Sequence, residues 1–329
     1  MTLTLDAKDR RLIYELDRNA RASFTELARL AGVSKQVARY RLNRLERLGA
    51  IGAYFAIIDI SRLGFTIRKS FIKLHGASEE QEAALVAWLK RNPNVVWLVS
   101  CDGQFDIAFG MWAANIDEYS AQLTEVDRRF GHLFLQNQIA PIVRGQYFCR
   151  DYLLGKEAGT EQDLTIGAIP KESGVDEADW KILECLGANA RTPLSEMAAR
   201  AGISPDATGK RLRRLERTRV IQNYILVLNN SVLGQLHYKV FVKLRSVTNN
   251  KYRSLVEFCR LHPNIFYIVK TFGVWDFEID LEVRDAQQFR SVMRELKKSF
   301  SSIISDYSYI TVYDIHKYNF CPGRRRALQ

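Results

Sequence analysis

Ser34–Arg47, SKQVARYRLNRLER, is the stretch that decides how this chain is read. Ala38, Leu42 and Leu45 recur at helical spacing, with Leu48 continuing the apolar stripe. The opposite face carries Lys35, Gln36, Arg39, Tyr40, Asn43 and Arg44. The stretch holds five basic residues and one acidic, whereas a merely solvated face mixes its signs more evenly. Ser34 is a favoured N-cap residue and Gly49 closes the helix. Upstream, Ser23 and Glu26 have capping-box spacing and open a shorter helix that Gly32 ends. A first helix is predicted from Asp6 to Leu16 through Leu12, Ile13 and Leu16, with Asp9 near its positive end. A short helix, a glycine-bearing turn and a longer basic helix make a helix-turn-helix.

That outward face has the chemistry of major-groove reading. Arg and Lys donate to guanine O6 and N7, and Gln and Asn pair bidentately with adenine. Residues near the start of a recognition helix reach base edges, which assigns sequence preference to Lys35, Gln36 and Arg39. Ser34, Tyr40, Asn43 and Arg44 complete the expected DNA-facing set. Arg41, Arg44 and Arg47 are expected to hold phosphates or a structural carboxylate such as Glu46.

The same writing returns 170 residues later. Asp6-x-x-Asp9 recurs as Asp176-x-x-Asp179, Asn19-Ala20-Arg21 as Asn189-Ala190-Arg191, and Gly32-Val33-Ser34 as Gly202-Ile203-Ser204. Arg41-Leu42 and Arg44-Leu45-Glu46-Arg47 return as Arg211-Leu212 and Arg214-Leu215-Glu216-Arg217. Gly103-x-x-Asp106 returns as Gly273-x-x-Asp276. An offset held over more than a hundred residues marks a duplication, with a period too long for a solenoid. The second reading helix keeps the scaffold and changes the face. Ser204 caps it, Pro205 takes the first helical position, Asp206 replaces Gln36, and Gly209 sits inside at a cost of about 1 kcal/mol relative to Ala. Lys210, Arg213 and Arg214 remain basic, so the two readers are expected to prefer different half-sites. Arg219 stands where the first copy has Gly49, an exchange expected to loosen that wing.

The remainder of each copy alternates β and α patterns. Strands are predicted at Phe65–His75, Val95–Ser100 and Phe105–Trp112, helices at Ser78–Arg91 and Ile116–Phe130, and one or two strands over Leu133–Phe148. In the second copy the corresponding segments start at His237, Lys251, Ile265, Trp275, Ala286 and Ile304. The order βαββαβ is ferredoxin-like, an antiparallel sheet with both helices on one face. The expected class is therefore α+β, with two winged helix-turn-helix domains and two ferredoxin-like effector domains in tandem. The expected boundaries are 1–60 and 61–153 for the first copy, 154–174 for a linker, 175–230 and 231–321 for the second copy, and 322–329 for a basic tail.

The chain has 329 residues and a formal net charge of +11, a balance that favours polyanionic partners. No secretory leader or 18-residue uncharged apolar run is seen, so no membrane partner is expected and a cytoplasmic, nucleoid-associated setting is. Five scattered cysteines fit a reducing compartment and no metal motif. P-loop, HExxH and Ser-His-Asp patterns are missing, and no cofactor is expected.

The ordered residues Leu5-Asp6-x-x-Asp9, Asn19-Ala20-Arg21, Glu26-Leu27-Ala28, Gly32-Val33-Ser34, Arg41-x-x-x-Leu45-Glu46, Ile51 and Tyr54 resemble the N-terminal domain of the Lrp/AsnC (leucine-responsive, feast/famine) regulators. Pro93-Asn94-Val95 and Gly103-x-x-Asp106 resemble that family's effector domain. The resemblance implies a DNA-binding transcription regulator, not an enzyme, that responds to an amino acid or similar small metabolite. One fused chain would act as a pseudo-dimer on double-stranded DNA and could assemble further. It also implies that Gly103, Asp106, Gly273 and Asp276 line effector sites, since glycine admits close approach and a carboxylate pairs with an amino group. An ordinary hairpin turn is the plainer reading of the same residues. The competing reading is an enzyme of the same architecture, a siroheme decarboxylase, using His75, His132, His237, His262 and His316. These five do not recur at the 170 offset. A metabolite binder without DNA binding is the third reading, and the basic reading faces speak against it.

Overall fold

The structure, a computed structural model, describes residues 3–155, 164–166 and 174–321. Most of the expected linker, and the basic tail with Arg324, Arg325 and Arg326, lie outside the described residues. The first copy opens with α1 (Ala7–Arg18), α2 (Phe24–Ala31) and α3 (Lys35–Arg47). Ser23 and Ser34 cap their helices as their sequence predicts, and Asp6, read as the start of the first helix, caps it; each side chain accepts from the backbone N–H three residues on. Then come β1 (Ile51–Ile58), β2 (Thr66–Leu74), α4 (Glu79–Arg91), β3 (Val95–Gly103), β4 (Ile107–Ala113), α5 (Ile116–Phe130), β5 (Phe134–Pro141) and β6 (Arg144–Tyr147). After the short β7 (Leu164–Ile166), the second copy supplies α6 (Glu177–Ala188), α7 (Leu194–Ala201), α8 (Pro205–Arg217) and β8 (Ile221–Leu228). It continues with α9 (Asn230–Leu233), β9 (Leu236–Leu244), α10 (Asn249–Leu261), β10 (Ile265–Lys270), β11 (Phe277–Val283), α11 (Ala286–Phe300) and β12 (Ile304–Tyr318).

Two departures from repetition have local causes. β5 and β6 are separate, whereas their counterpart β12 runs unbroken for 15 residues. Pro141 ends β5, and a residue without an N–H cannot continue a ladder; Thr311 occupies that place in β12. The helix that Ser23 caps in the first copy follows Pro193 in the second, with no side-chain cap.

The chain divides into two compact units, and each takes parts from both copies. The first comprises Met1–Tyr54, Gly145–Leu164 and Tyr224–Tyr313; the second comprises Phe55–Arg144, Thr165–Asn223 and Asp314–Gln329. Each helix-turn-helix thus shares a unit with the sensor of the other copy. In the first unit, the core under α1, α2 and α3 buries Leu12, Leu16, Leu27, Leu42 and Leu45 together with Cys149, Leu153, Leu226, Leu228 and Leu233. Its sensor core is formed by Val240, Val242, Ile279 and Leu281 of the sheet with Leu255, Cys259, Phe289, Met293 and Leu296 of α10 and α11. β9 pairs antiparallel with both β11 and β12 in this unit, with Val240 facing Ile279 across one ladder and Tyr309 across the other. β6 lies beyond β10, and Phe148 N–H donates to Phe266 O at 2.8 Å.

In the second unit β2 sits between β4 and β5, and β3 pairs with β4. The end of β12 lies beside β3, with Asn319 N–H donating to Val96 O. Leu85, Leu89, Tyr119 and Val126 of α4 and α5 cover one face of this sheet over Ile72, Leu98, Ile107 and Phe109. The ferredoxin-like arrangement is therefore present twice. All five cysteines are buried thiols. Among the described residues no helix is long and apolar enough to cross a membrane.

Candidate nucleic-acid interface

α3 is anchored by the stripe its sequence announces: Ala38, Leu42 and Leu45 are buried. Lys35, Gln36, Arg39, Tyr40 and Asn43 are exposed on the other side. Tyr40 is 65% accessible, high for a large ring. Ser34 is also exposed, but its Oγ accepts from Val37 N–H at 3.2 Å, so its first task is to start the helix. Arg39 lies 6.0 Å above the Phe24 ring of α2, an attraction that favours one orientation of its guanidinium.

The other arginines have a structural duty. Arg41 donates to Asp6 at 2.7 Å and to the buried Asp9 at 2.8 Å, and Arg44 reaches Asp9 at 3.2 Å. Asp9 is 1% exposed, so these two arginines neutralise it and clamp the recognition helix to α1. The structural carboxylate expected at Glu46 is thus corrected to Asp9; Glu46 instead accepts from Tyr54 Oη at 2.5 Å. The Asp9 N–H and the Arg41 guanidinium hold the Asp6 carboxyl below its ordinary range. The clamp recurs in the second unit, where Arg211 donates to Asp176 and Asp179, and Arg214 to Asp179. Arg44 and Arg214, expected on the DNA side, are therefore half committed to their own fold. The sequence carried the signal, since Asp-x-x-Asp and Arg-x-x-Arg recur together at one offset.

The second reading face is poorer in free charge. Asp206 and Lys210, both exposed, pair with each other at 2.8 Å. Gly209, the counterpart of Arg39, is buried, while Arg213 and Arg217 remain exposed. At the following turn Arg219 adopts the left-handed conformation of Gly49, with φ 59° against 72°. The turn therefore keeps the first copy's left-handed path with Arg219, at the cost of local strain.

The two expected effector turns are built alike. Gly103 and Gly273 have φ 117° and 119°, a region that glycine enters without penalty. Asp106 accepts from Leu74 N–H at 2.7 Å and from Lys73 Nζ at 2.6 Å. Asp276 accepts from Leu244 N–H at 2.9 Å and from Lys243 Nζ at 3.4 Å. Each carboxylate thus ties its hairpin to the neighbouring strand and already holds an ammonium group. In the first unit His237 meets Asp280 at 2.8 Å and His262 lies 3.8 Å from Glu295; in the second His316 meets Ser100 at 2.9 Å, and His75 and His132 are exposed. Among the described residues no group of three His, Cys, Asp or Glu is placed to hold a metal ion.

One element was missed in the sequence. Arg150, buried in the first unit, donates to Asp17 of α1 at 2.5 Å and to Glu282 of β11 at 2.8 Å. Tyr152 Oη adds a bond to Glu282 at 2.7 Å. This strut joins the first reading domain to the sensor of its unit. Burial pushes the Asp17 carboxyl up; at Glu282 burial acts the same way, but Arg150, His237 and Tyr152 together outweigh it and hold the carboxyl down. The counterpart of Arg150 is Phe320, so the repeat gave no hint of it.

The AsnC-type helix-turn-helix domain model matches residues 5–46 and 175–216. The proline dehydrogenase transcriptional activator of Rhodobacter capsulatus is 34% identical over 121 residues, 36% of this chain and 78% of that protein. The chain belongs to the Lrp/AsnC family of transcription regulators. Another relative of this Lrp/AsnC chain, the HTH-type transcriptional regulator AldR of Mycobacterium tuberculosis, is 30% identical over 144 residues, 43% of this chain and 80% of AldR. Over nearly its full length the fold is similar to that of the siroheme decarboxylase NirDL, at TM-score 0.60 and 11% identity, covering 97% of this chain and 95% of that one. At such identity the likeness is one of fold alone.

Proposed function

We propose that this Lrp/AsnC chain is a sequence-specific DNA-binding regulator, not an enzyme, in which one polypeptide supplies the two reading helices of a dimer. The observation that carries this reading is the exposed row Lys35, Gln36, Arg39, Tyr40 and Asn43 on a helix clamped through Arg41 and Arg44. A rigid helix presenting donors at its N-terminal end is what major-groove reading requires. The names of the R. capsulatus activator and of AldR support the same reading. Ser204, Asp206, Lys210, Arg213 and Arg214 form the second reader. Its Asp206–Lys210 pair weakens phosphate attraction, so the preferred site is an imperfect palindrome with half-sites about one turn, ~34 Å, apart.

An amino-acid-like effector fits the two turns, where Gly103 and Gly273 leave room and Asp106 and Asp276 already accept from an ammonium group. An incoming amine there competes with Lys73 or Lys243. Selection of bound duplexes from a random pool tests the proposal. Gln36→Ala and Arg39→Ala are expected to relax base preference at the first half-site by about 1–3 kcal/mol per contact. Arg47→Ala is expected to weaken all duplexes alike and flatten the salt slope. Equal losses on every sequence for all three variants reject the assignment.

A further inference from the structure

The first unit contains a cavity of about 550 Å³ where the N-terminal segment and α1 meet the sensor, within the size range of metabolite pockets. Arg10 and Arg284 line it, and no carboxylate does among the described residues. Leu3, Leu5 and Leu233 provide an apolar wall, and Asn264, which is 6% exposed, a polar one. Gln235 also lines it, and its Oε1 is buried with no hydrogen-bond partner. A buried acceptor left without a donor costs about 1–3 kcal/mol, a cost that a ligand bearing a donor removes.

The duplication supplies an internal control. In the second unit, the positions matching Arg10 and Gln235 hold Trp180 and Phe65, beside Trp112, the counterpart of the strut's Glu282. Those rings pack together, with Phe65 4.5 Å from Trp112 and each 6.4 Å from Trp180. Arg284 is matched by Ala114, so the second arginine is also missing there. The same backbone positions therefore hold packed aromatic rings in one unit and two arginines beside an unpartnered amide oxygen in the other.

We propose that the cavity of the first unit is a binding site for a small organic carboxylate that also carries a hydrogen-bond donor, an amino or hydroxy acid. Arg10 and Arg284 attract the carboxylate, the leucines take the aliphatic part, and the amino or hydroxyl group donates to Gln235 Oε1. The site is distinct from the turns at Gly103 and Gly273. It adds a second ligand site to the reading of a metabolite-responsive regulator, and its binding test needs no DNA.

Titration calorimetry and thermal shift on the full chain, with a panel of aliphatic amino acids, α-hydroxy acids, plain carboxylates and inorganic phosphate, test it. An amino or hydroxy acid is expected to bind, and Arg284→Gln to weaken it about tenfold or more. Arg10→Trp with Gln235→Phe places two of the second unit's three rings in the cavity and is expected to abolish binding while unliganded stability is kept. Arg284 is exposed, so its variant keeps the test decisive if the double variant misfolds. Binding that survives both variants, binding of phosphate alone, or no heat or shift with any member of the panel overturns the proposal. A chain that binds the acid but no duplex leaves this site standing and sinks the DNA reading; the converse sinks only this site.

Discussion

Gly187 and Gly209 lie within helices of the same unit, and the same Gly→Ala change should move stability in opposite directions at the two. At Gly209, in α8, an added Cβ would meet Leu194 Cδ2 at 3.7 Å and Arg213 Nη1 at 3.6 Å. Both are ordinary contact distances. The methyl group therefore adds packing while the helix sheds the penalty of an interior glycine, a gain of about 1 kcal/mol. At Gly187, in α6, the Cβ would lie 2.6 Å from Asn319 Oδ1 and 2.9 Å from Cys321 O. Neither neighbour can give way cheaply, because Asn319 Oδ1 accepts from Cys321 N–H at 2.9 Å and Asn319 N–H donates to Val96 O at 2.8 Å. Overpacking of that kind costs about 1–3 kcal/mol, more than the helical gain. Scanning calorimetry is expected to show the transition of this unit rise by about 2–4 °C for Gly209→Ala and fall for Gly187→Ala. Shifts of the same sign would refute this reasoning, since helix propensity alone predicts two gains.

Arg150→Met should destabilise the first unit by about 3–5 kcal/mol, as it strands Asp17 and Glu282 in the interior; urea unfolding followed by the fluorescence of Trp275 measures it, and a loss below 1 kcal/mol speaks against the strut. Arg219→Gly relieves a left-handed arginine and should raise the second unit's stability by about 0.5–1 kcal/mol, read as a shifted denaturant midpoint. Burial alone would raise the Asp280 carboxyl, but Lys239 and His237 outweigh it and hold it at about 2. Its folded-state value is therefore depressed. The stabilisation, about 2 kcal/mol, is present above the unfolded value near 4 and disappears as pH falls towards 2, so Asp280→Asn should flatten the acid limb of a stability–pH curve.

Local signals carried most of the fold. α5 and α11 occupy the ranges their apolar spacing predicts, because Asn115 and Asp285 cap them and the stripe ends at Phe130 and Phe300. Arg219 and Ser246, left-handed without being glycine, stand where the first copy has Gly49 and Gly76. What stayed hidden was tertiary choice. Two sensors with the same order of elements offer each reading domain a partner, and neither periodicity nor propensity says which one it takes. The strut at Arg150 was hidden for the same reason, since its partners Asp17 and Glu282 are remote in sequence. At the candidate site the exposed face of α3 was legible residue by residue, but the carboxylate held by Arg41 and Arg44 is Asp9, where Glu46 had been expected. The cavity would have been visible only in the places where the copies disagree, such as Arg10 against Trp180.

The crossing of copies between units sets a timetable for synthesis. The core beneath α1 to α3 is incomplete until Leu226, Leu228 and Leu233 have been added, nearly two hundred residues after the first recognition helix leaves the ribosome. At ordinary translation speeds that interval is roughly ten to forty seconds. Throughout it the nascent head carries a greasy stripe with no cover, a natural client for a chaperone. A gene cut after its first half would leave that head permanently unclosed.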